Sequence, residues 1–552
     1  MRGKIIKALQ KATGIDDISL EFPEYADFGD YSTNVALVSG KKAEDIVKRL
    51  KEDKSLAGLV KQIEIAGGGF INFFLAQEAL INELRKIIQE KGEYGKSGEG
   101  KGKTVVIDYS SPNIAKRFGI GHLRSTVIGQ ALYNLYKFLG YQVIGDNHLG
   151  DWGTQFGTLL YQIDSKGLNP EKLTVDTLEK LYVEFNSEAK DNEALWQKAR
   201  SWFKKLEEGD PQARKIWQKL VDVSLAEFDR IYQLLGVKID YAYGESFYEG
   251  IMPSVIEDIR KQKLSKKSQG AEIVEFKDLP PVILVKSDGA TTYLTRDLAT
   301  IKFRLSEWNP DLFIYEVGAD QTLHFRQLFE IARLLGWDGG RQFIHVAHGL
   351  IRYEHGKMST RRGQTIKLED VLDEAIKRAK EIIDKSETGR GLSQKEKEEV
   401  AKAVGIGAVK YFDLLHQPQT DIIFDWQKIF VLEGNSGPYL QYTVARTNSV
   451  LAKAKTSIKY QVSGIKLNAE ELSVLRALVR FPEMIEIAAK NYSPNLLANY
   501  LFDLAKKYNN FYDKHRILGS DNLELRLALT HAARQVLKNG LAILGIETPE
   551  RM

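Results

Sequence analysis

The sequence predicts a multidomain α/β protein, in which a doubly wound parallel sheet lies between an N-terminal α+β domain and a C-terminal all-α helical bundle. The first observation is a strand–loop–helix–strand unit that runs from Thr104 to Ile144. The second is the return of strand-like apolar runs after residue 280, which would supply the second half of the sheet. The third is a largely helical pattern from Leu368 onward.

Composition narrows the class of protein. The chain has 552 residues, of which 43% are hydrophobic and 28% charged, enough for several domains with real cores. Zero cysteines exclude disulfides, thiolate catalysis and Cys-ligated zinc. No apolar run reaches transmembrane length and no signal peptide opens the chain, so we expect a cytoplasmic enzyme without a membrane partner. A net charge of +4 is too small to predict a nucleic-acid partner by itself.

Residues 1–97 are predicted to form the small α+β domain. Helical spacing covers 5–12 and 42–50, and strand patterns at 63–65 and 70–74 flank the triple glycine 67–69. We interpret those glycines as a hairpin turn rather than a phosphate cradle. The Gly- and Lys-rich stretch 91–103 is the expected linker to the next domain.

The loop of the Thr104–Ile144 unit has the chemistry of a ligand site. Gly121 lacks a side chain, so a flat base could lie against the backbone there. His122, at the start of the helix, could donate a hydrogen bond to a phosphate beside the helix dipole. A Gly-x-Gly loop alone is weak evidence and is often an ordinary turn.

The longer string SSPNIAK…IGHLRST, which covers residues 110–126, closely resembles the signature of arginyl-tRNA synthetases, a class I aminoacyl-tRNA synthetase family. In that comparison Gly121 and His122 form the second half of the family's His-Ile-Gly-His element. Gly119 stands where the first histidine is expected. The resemblance implies a Rossmann-like catalytic domain and continues, in order, through nearly the whole chain.

The segments after this unit alternate between helices and strands. Residues 176–235 are highly charged and helical, which predicts an insertion without chemistry of its own. Val282–Val285 is predicted to begin the second half of the sheet, and Leu312–Val317 to be a strand that ends in polar residues. Residues 345–351 are the expected last strand, whose two histidines do not share a face, so no metal site is predicted. A mobile basic loop is expected over residues 355–363.

Tyr293 and Asp297 lie four apart on one face of a predicted helix. From the residues alone, Asp297 could be an ordinary surface ion-pair partner. The resemblance instead implies an arginine site, and the physics agrees, because a planar guanidinium needs carboxylates and carbonyl oxygens fixed around it. The residues implied for arginine are Asp108, Ser111, Pro112, Asn113, His122, Tyr293, Asp297 and Gln321.

The resemblance also implies an ATP site and a catalytic set. Asp320 could hold ribose hydroxyls, because a carboxylate accepts two hydrogen bonds. The loop HGKMSTRRG resembles the class I Lys-Met-Ser-Lys-Ser loop, with Thr360 in place of the second lysine. The residues implied for ATP are Gly119, Gly121, His122, Gly318, Asp320, Lys357, Met358 and Ser359. Those implied for catalysis are Lys116, His122 and Lys357.

By the same resemblance the outer domains bind tRNA. Residues 98–367 would be the catalytic domain, 368–429 a helical connector and 430–552 the anticodon-binding domain. In the N-terminal domain, which contacts the corner of the tRNA in relatives, Asn72, Phe74 and Gln77 are candidates for base contact. In the C-terminal domain, Tyr508 and Phe511 belong to an aromatic stripe, from which one or two residues could stack on anticodon bases.

The implied reaction has two steps. Arginine and ATP give arginyl-adenylate, and the arginyl group is then transferred to the terminal adenosine of tRNA(Arg). We expect Mg²⁺ to accompany ATP, tRNA to be required even for the first step, and the enzyme to be a monomer. One alternative is a silent paralogue that binds tRNA or arginine without charging. Gly119 and Thr360 support it, because each replaces a residue that the wider class uses on phosphates. Another is a nucleotidyl-transfer enzyme acting on a small molecule, which the C-terminal helical pattern disfavours.

Overall fold

The computed structural model describes residues 1–353, 356–357, 366–386, 388–454 and 466–552. Its architecture confirms the predicted fold class: an N-terminal α+β unit, a central parallel sheet covered by helices, and a C-terminal helical bundle. No helix in these ranges is both long enough and apolar enough to cross a bilayer.

The N-terminal unit is a three-stranded antiparallel sheet, in the order β1-β3-β2, packed against helices. The predicted glycine hairpin is confirmed, because residues 67–69 join β2 to its antiparallel partner β3. The elements are α1 (Arg2–Thr13), β1 (Tyr31–Thr33), α2 (Val35–Ser39), α3 (Ala43–Glu52), β2 (Val60–Ala66), β3 (Phe70–Leu75) and α4 (Gln77–Glu90).

The central sheet has four parallel strands in the order β10-β9-β4-β5. The chain leaves β4 towards one edge and returns on its other side with β9, so the switch point of the topology lies between these two strands. The elements that build and cover the sheet are β4 (Thr104–Asp108), α5 (Leu123–Phe138), β5 (Gln142–Asp146), α11 (Tyr293–Trp308), β9 (Leu312–Gly318), α12 (Thr322–Leu334) and β10 (Gln342–His348).

Two strand predictions were wrong in their placement. The run 282–285 forms β8 of a separate antiparallel sheet, so the second half of the parallel sheet begins with β9. A short apolar run does not by itself distinguish the two kinds of sheet. The expected strand 345–351 ends at His348, and Ile351 begins another small sheet. The elements of these two sheets are β6 (Ser265–Ser268), β7 (Ala271–Val274), β8 (Val282–Val285), β11 (Ile351–Tyr353), β12 (Gly356–Lys357) and β13 (Ile422–Ile423).

In the sequence, a run of five α-helices separates β5 from β6 and so lies between the two halves of the parallel sheet. The longest, α9, is delimited by its sequence: the Asp210 carboxylate accepts the Ala213 N–H, Pro211 opens the helix, and Gly236 ends it with φ +63°. The helices are α6 (Thr154–Ser165), α7 (Val175–Glu188), α8 (Glu193–Glu207), α9 (Pro211–Leu235) and α10 (Met252–Lys261).

The C-terminal helices pack directly on the region that holds the parallel sheet. Helix α5 is buried on nearly every side, because it lies between the parallel sheet and α14, α18 and α20. The N-terminal unit also contacts the bundle, where the Tyr31 hydroxyl donates to Glu483 at 2.6 Å. The helices are α13 (Leu368–Lys385), α14 (Gln394–Leu414), α15 (Trp426–Ile429), α16 (Gly437–Lys453), α17 (Ala469–Leu478), α18 (Phe481–Lys490), α19 (Pro494–Lys514) and α20 (Leu523–Ile543).

Candidate active site

A cavity of about 550 Å³ opens at the carboxyl ends of β4 and β9, at the switch point of the parallel sheet. Polar side chains from five parts of the chain line it, together with the aromatic rings of Trp152, Tyr315 and Phe325. This volume is in the range of small-molecule binding sites and is large enough for an amino acid.

One wall is the loop after β4, whose backbone is held in an unusual conformation. Ser110 and Ser111 have φ angles of +75° and +44°, a region that residues with a side chain rarely adopt. Buried hydrogen bonds hold the loop there: Ser110 N–H donates to Ser125 Oγ at 2.8 Å, and Ser111 N–H to Asn147 Oδ1 at 3.0 Å. The loop therefore presents its side chains in one fixed arrangement.

Asn113 reaches the cavity because Gly150 lies opposite it. A Cβ atom at position 150 would lie 2.2 Å from Asn113 Oδ1, so any other residue would displace the amide. The two segments also pair through the main chain, since Ile114 N–H donates to the Gly150 carbonyl at 3.0 Å.

Two of the four carboxylates around the cavity already have arginine partners. Asp108 accepts from the fully buried Arg304 at 2.6 Å, and Glu245 lies 3.2 Å from Arg296. Burial raises the pKa of Glu245 to about 7, although Arg296 opposes the shift. Neither group therefore presents a free full negative charge to a ligand at neutral pH.

Asp297 has no arginine or lysine partner among the described residues; its neighbours are two histidines. Its Oδ2 atom lies 2.5 Å from His324 Nε2, and its Oδ1 atom 3.7 Å from His148 Nε2. Burial alone would lower the pKa of His324, but the hydrogen bond and charge of Asp297 outweigh it, so the pKa is raised. The fourth carboxylate, Asp320, is exposed at the rim.

The structure brings together most of the residues predicted for arginine. Six of the eight line the cavity: Asp108, Ser111, Asn113, Tyr293, Asp297 and Gln321. Pro112 and His122 do not. The Pro112 side chain is buried, and its carbonyl accepts the Gly150 N–H at 3.2 Å, so it holds the wall rather than facing the cavity. Tyr293 is 66% exposed and lies at the mouth.

Apart from Tyr315, five polar lining residues were not among the predicted site residues: His148, Gln155, Glu245, Thr300 and His324. His324 could have been found, because it lies three residues after Gln321 at the start of α12 and therefore on the same face. Glu245 carries no such signal. It lies at the end of an irregular segment, and the next residue, Ser246, donates hydrogen bonds from its N–H and hydroxyl to Asp151.

His122 lies at the start of α5, outside this cavity. Its Nδ1 atom accepts the Gly119 N–H at 3.2 Å, which places the proton of the neutral ring on Nε2. Burial lowers the pKa of His122, and nearby Lys116 lowers it further, so the ring is a neutral hydrogen-bond donor at pH 7. Gly121 is exposed beside it, and Gly318 ends β9. Lys116 is itself exposed, with its ammonium 5.9 Å from the centroid of the Tyr182 ring.

Of the predicted basic loop, residues 355–363, the structure describes 356–357. Lys357 pairs with Arg352 through the main chain, and Met358 and Ser359 lie outside the described residues. On the far side of the loop, Ile120 N–H donates to the Ile366 carbonyl at 3.1 Å. The exit of the loop is therefore tied by the backbone to the His122 turn.

The residues predicted to contact tRNA differ in how far they are exposed to solvent. Asn72 is 3% exposed and accepts a hydrogen bond from Ser32 Oγ at 2.7 Å. Its side chain is therefore buried in the sheet and does not face solvent, where a base would bind. Phe74 is half-buried, and Gln77 is exposed. Tyr508 and Phe511 are fully buried in the bundle core, so the prediction that they stack on bases is wrong. The helical period identified a face of α19 but not whether that face is covered.

Exposed aromatic residues of the bundle line a groove of about 750 Å³. The rings of Tyr442 and Tyr512 are 41% and 36% exposed, and the Arg446 guanidinium lies 5.0 Å and 4.9 Å from their centroids. Asn509, behind them, accepts from Arg446 at 2.8 Å and fixes it between the rings. Aromatic faces beside a cation are a stacking platform for unpaired bases.

Three family models match the chain in order. Residues 1–75 match the arginyl tRNA synthetase N terminal domain, 83–426 the class I (R) tRNA synthetase catalytic domain, and 440–552 the DALR anticodon binding domain. The catalytic match continues through residue 426 and so includes most of the predicted helical connector, 368–429.

Curated relatives and solved structures agree with these matches. The chain is 44% identical to the arginine–tRNA ligase of Chloroflexus aurantiacus over 88% of this chain and 86% of that one. It is 38% identical to that of Clostridium botulinum over the full length of both. The arginyl-tRNA synthetase structure from Plasmodium falciparum has a TM-score of 0.84 at 26% identity, covering 100% of this chain and 98% of that one. The Thermus thermophilus structure, at 23% identity, has the same fold, with a TM-score of 0.86 and full coverage of both chains.

Proposed function

The chain belongs to the arginyl-tRNA synthetase family and is an arginine–tRNA ligase. From this premise we propose which of its residues bind arginine, ATP and tRNA. The enzyme uses ATP to convert arginine to arginyl-adenylate, releasing pyrophosphate, and then esterifies the terminal adenosine of tRNA(Arg), releasing AMP. Nothing observed favours the silent paralogue. No protein nucleophile is needed, so the residues act by positioning and by electrostatic stabilisation.

The 550 Å³ cavity binds the arginine side chain, and Asp297 is the carboxylate that pairs with the guanidinium. The single observation that carries this proposal is the pairing of the lining carboxylates. Asp108 and Glu245 already face internal arginines, whereas the ion-pair neighbours of Asp297 among the described residues are two histidines, and it keeps a charge to offer. Asn113, Gln321 and Tyr293 add neutral oxygen acceptors around the same space.

Such a site would reject a neutral side chain. With a neutral side chain in the cavity, the Asp297 carboxylate would be partly removed from water and would lack a cationic ligand. Its histidine neighbours would not replace the bidentate guanidinium, so the neutral ligand would bind far less well. Selection for arginine therefore needs no editing step.

The ATP phosphates lie, in this proposal, on the His122 side. A neutral His122 donates Nε2–H to a phosphate oxygen at the N-terminus of α5, where the helix dipole favours negative charge. Lys116 and Lys357 add positive charge as pyrophosphate leaves, while Asp320 binds ribose hydroxyls at the rim. Among the described residues no group of three or more His, Asp or Glu could cage a metal ion, so Mg²⁺ would rely on phosphates and water for its ligands.

tRNA binds across the outer domains in this proposal. The groove between Tyr442 and Tyr512 receives anticodon bases, and Phe74 and Gln77 remain candidates in the N-terminal domain. We expect the enzyme to act as a cytoplasmic monomer.

Charging of tRNA(Arg) with each amino acid in turn tests the specificity, with citrulline as the neutral isostere of arginine. We expect arginine to be charged and citrulline to be rejected by at least 10⁴-fold in kcat/KM. Comparable charging of citrulline would contradict selection by Asp297.

A further inference from the structure

The hydrogen bond between His324 and Asp297 has a consequence for the way in which arginine binds. The two atoms, His324 Nε2 and Asp297 Oδ2, are 2.5 Å apart. An ionised carboxylate can only accept a hydrogen bond, so His324 Nε2 carries a hydrogen and donates. In the structure as it stands, an imidazole therefore occupies one oxygen of the carboxylate that arginine needs.

We propose that arginine binding displaces a proton from His324, so that the affinity for arginine depends on pH. This inference rests on the proposed pairing of the guanidinium with Asp297. A guanidinium is always charged and takes both carboxylate oxygens when it binds bidentately. Once it is bound, Asp297 no longer stabilises a charged imidazolium, and the incoming cation repels one.

The sign of the pH dependence follows from linkage. In the free enzyme the pKa of His324 is raised above its usual 6.5 by Asp297, and in the complex that support is removed. Below the free-state pKa, binding must release the proton, so affinity falls as the pH falls. The dissociation constant should therefore decrease by up to tenfold per pH unit as the pH rises towards that pKa, and level off above it.

Other ionisable groups face the same cavity and must be separated from His324. Glu245, with a pKa of about 7, also favours its ionised form when a cation enters, so it is a second source of released protons. The remaining groups are Asp108 from β4, His148 from the loop after β5, Tyr293 from α11, and Tyr315 and Asp320 from β9 and the turn after it.

The variant His324→Gln isolates the contribution of His324. The Gln side-chain amide can still donate to Asp297, but it does not titrate between pH 6 and 8. His345→Gln is the matched control, because His345 stacks on Phe325 of the same helix α12 at 4.5 Å but bonds to the Val317 carbonyl rather than to Asp297.

Calorimetric titration of arginine, in two buffers of different ionisation enthalpy, counts the protons released. We expect the wild type and His345→Gln to release more protons at pH 6.5 than His324→Gln does. His324→Gln should bind arginine more tightly than the wild type at pH 6 and with nearly equal affinity at pH 8. Glu245→Gln should retain the release that belongs to His324.

Equal proton release and equal pH dependence in the wild type and His324→Gln would overturn the inference. So would a loss of affinity in His324→Gln that is the same at every pH, because that result describes a merely structural role. The proposed function is tested separately by Asp297→Asn. If Asp297→Asn does not weaken arginine binding, the cavity assignment fails; if it does while His324→Gln behaves as wild type, only the proton linkage fails.

Discussion

The arginine cavity and the groove of the helical bundle hold their polar groups in different ways. In the cavity, buried charges are fixed by other charges, as in the pairing of Arg304 with both Asp108 and Asp146. In the groove, an exposed guanidinium lies between two exposed rings. Electrostatic interactions are strong where water is excluded and weak where it is not. We therefore expect single substitutions to have large, specific effects at the cavity and moderate effects at the groove.

Asp297→Asn should produce the largest effect. The amide retains the shape of the side chain but loses its charge, and breaking a buried charged pair costs roughly 3–5 kcal/mol. The KM for arginine should rise by two orders of magnitude or more, as measured by charging or by ATP–pyrophosphate exchange with tRNA present. The control is Asp320→Asn at the rim, which should raise the KM for ATP instead. A nearly unchanged KM for arginine in Asp297→Asn would remove the contrast between cavity and groove.

Lys116→Ala tests whether removing a solvent-exposed charge near the cavity can impair the enzyme as strongly as Asp297→Asn. The ammonium of Lys116 lies over the ring of Tyr182 here, so it must turn towards the phosphates to act. We expect adenylate formation to slow by roughly 10²–10³, the scale of one preorganised electrostatic contact, with little change in arginine binding.

Thr360→Lys, added to Lys116→Ala, should restore part of this rate, because it returns a positive charge to the same phosphates. The measurement is tRNA-dependent ATP–pyrophosphate exchange on the wild type and both variants. Exchange at the wild-type rate in Lys116→Ala would make that lysine an ordinary surface residue.

The same contrast explains what could be predicted from the sequence. Asp108 and Gln321 are far apart in the chain, but they end or follow β4 and β9, and the carboxyl ends of parallel strands meet at one edge of the sheet. Asp297 lies in the first turns of α11, the helix that leads back into β9. The topology of the sheet was therefore enough to predict that these residues lie close together. Glu245 escaped prediction because no strand or helix period fixes its position. β8 was assigned to the wrong sheet because four apolar residues carry no information about their partner strand.

In the helical bundle no comparable rule exists. Tyr508 and Phe511 share a helix with the exposed Tyr512, and all three have the same chemical character in the sequence. Which ring is covered depends on where α17, α18 and α20 pack against α19, and that depends on contacts between distant segments. The period of a helix specifies faces, but it does not specify their neighbours.

Tyr512→Ala and Tyr508→Ala should separate binding from packing in the groove. Removing the exposed ring should weaken tRNA(Arg) binding by about 1–3 kcal/mol, the value of one stacked base, with little change in thermal stability. Removing the buried ring should lower the free energy of unfolding by about 3–5 kcal/mol. Point variants are needed because deleting the bundle would expose the covered face of α5. A larger tRNA defect in folded Tyr508→Ala than in Tyr512→Ala would contradict the assignment.

The smallest effect we predict is at Lys410 on α14, where the two regions meet. Its ammonium is fully buried and donates to the carbonyls of Leu235 and Gly545, without a carboxylate partner among the described residues. Burial lowers its pKa to about 8, whereas the unfolded chain has the usual value near 10.4. Between these values the unfolded chain binds the proton and the folded chain does not, so stability rises with pH.

Lys410→Met removes this titration and provides the comparison. The free energy of unfolding of the wild type should increase relative to Lys410→Met by about 1 kcal/mol between pH 8 and pH 9, as measured by urea denaturation at each pH. Working below pH 9.5 avoids the buried tyrosines, whose pKa values burial raises above 10. A difference that is constant with pH would mean that water reaches Lys410. The cavity side and the bundle would then be separated by a solvated junction rather than joined in one core.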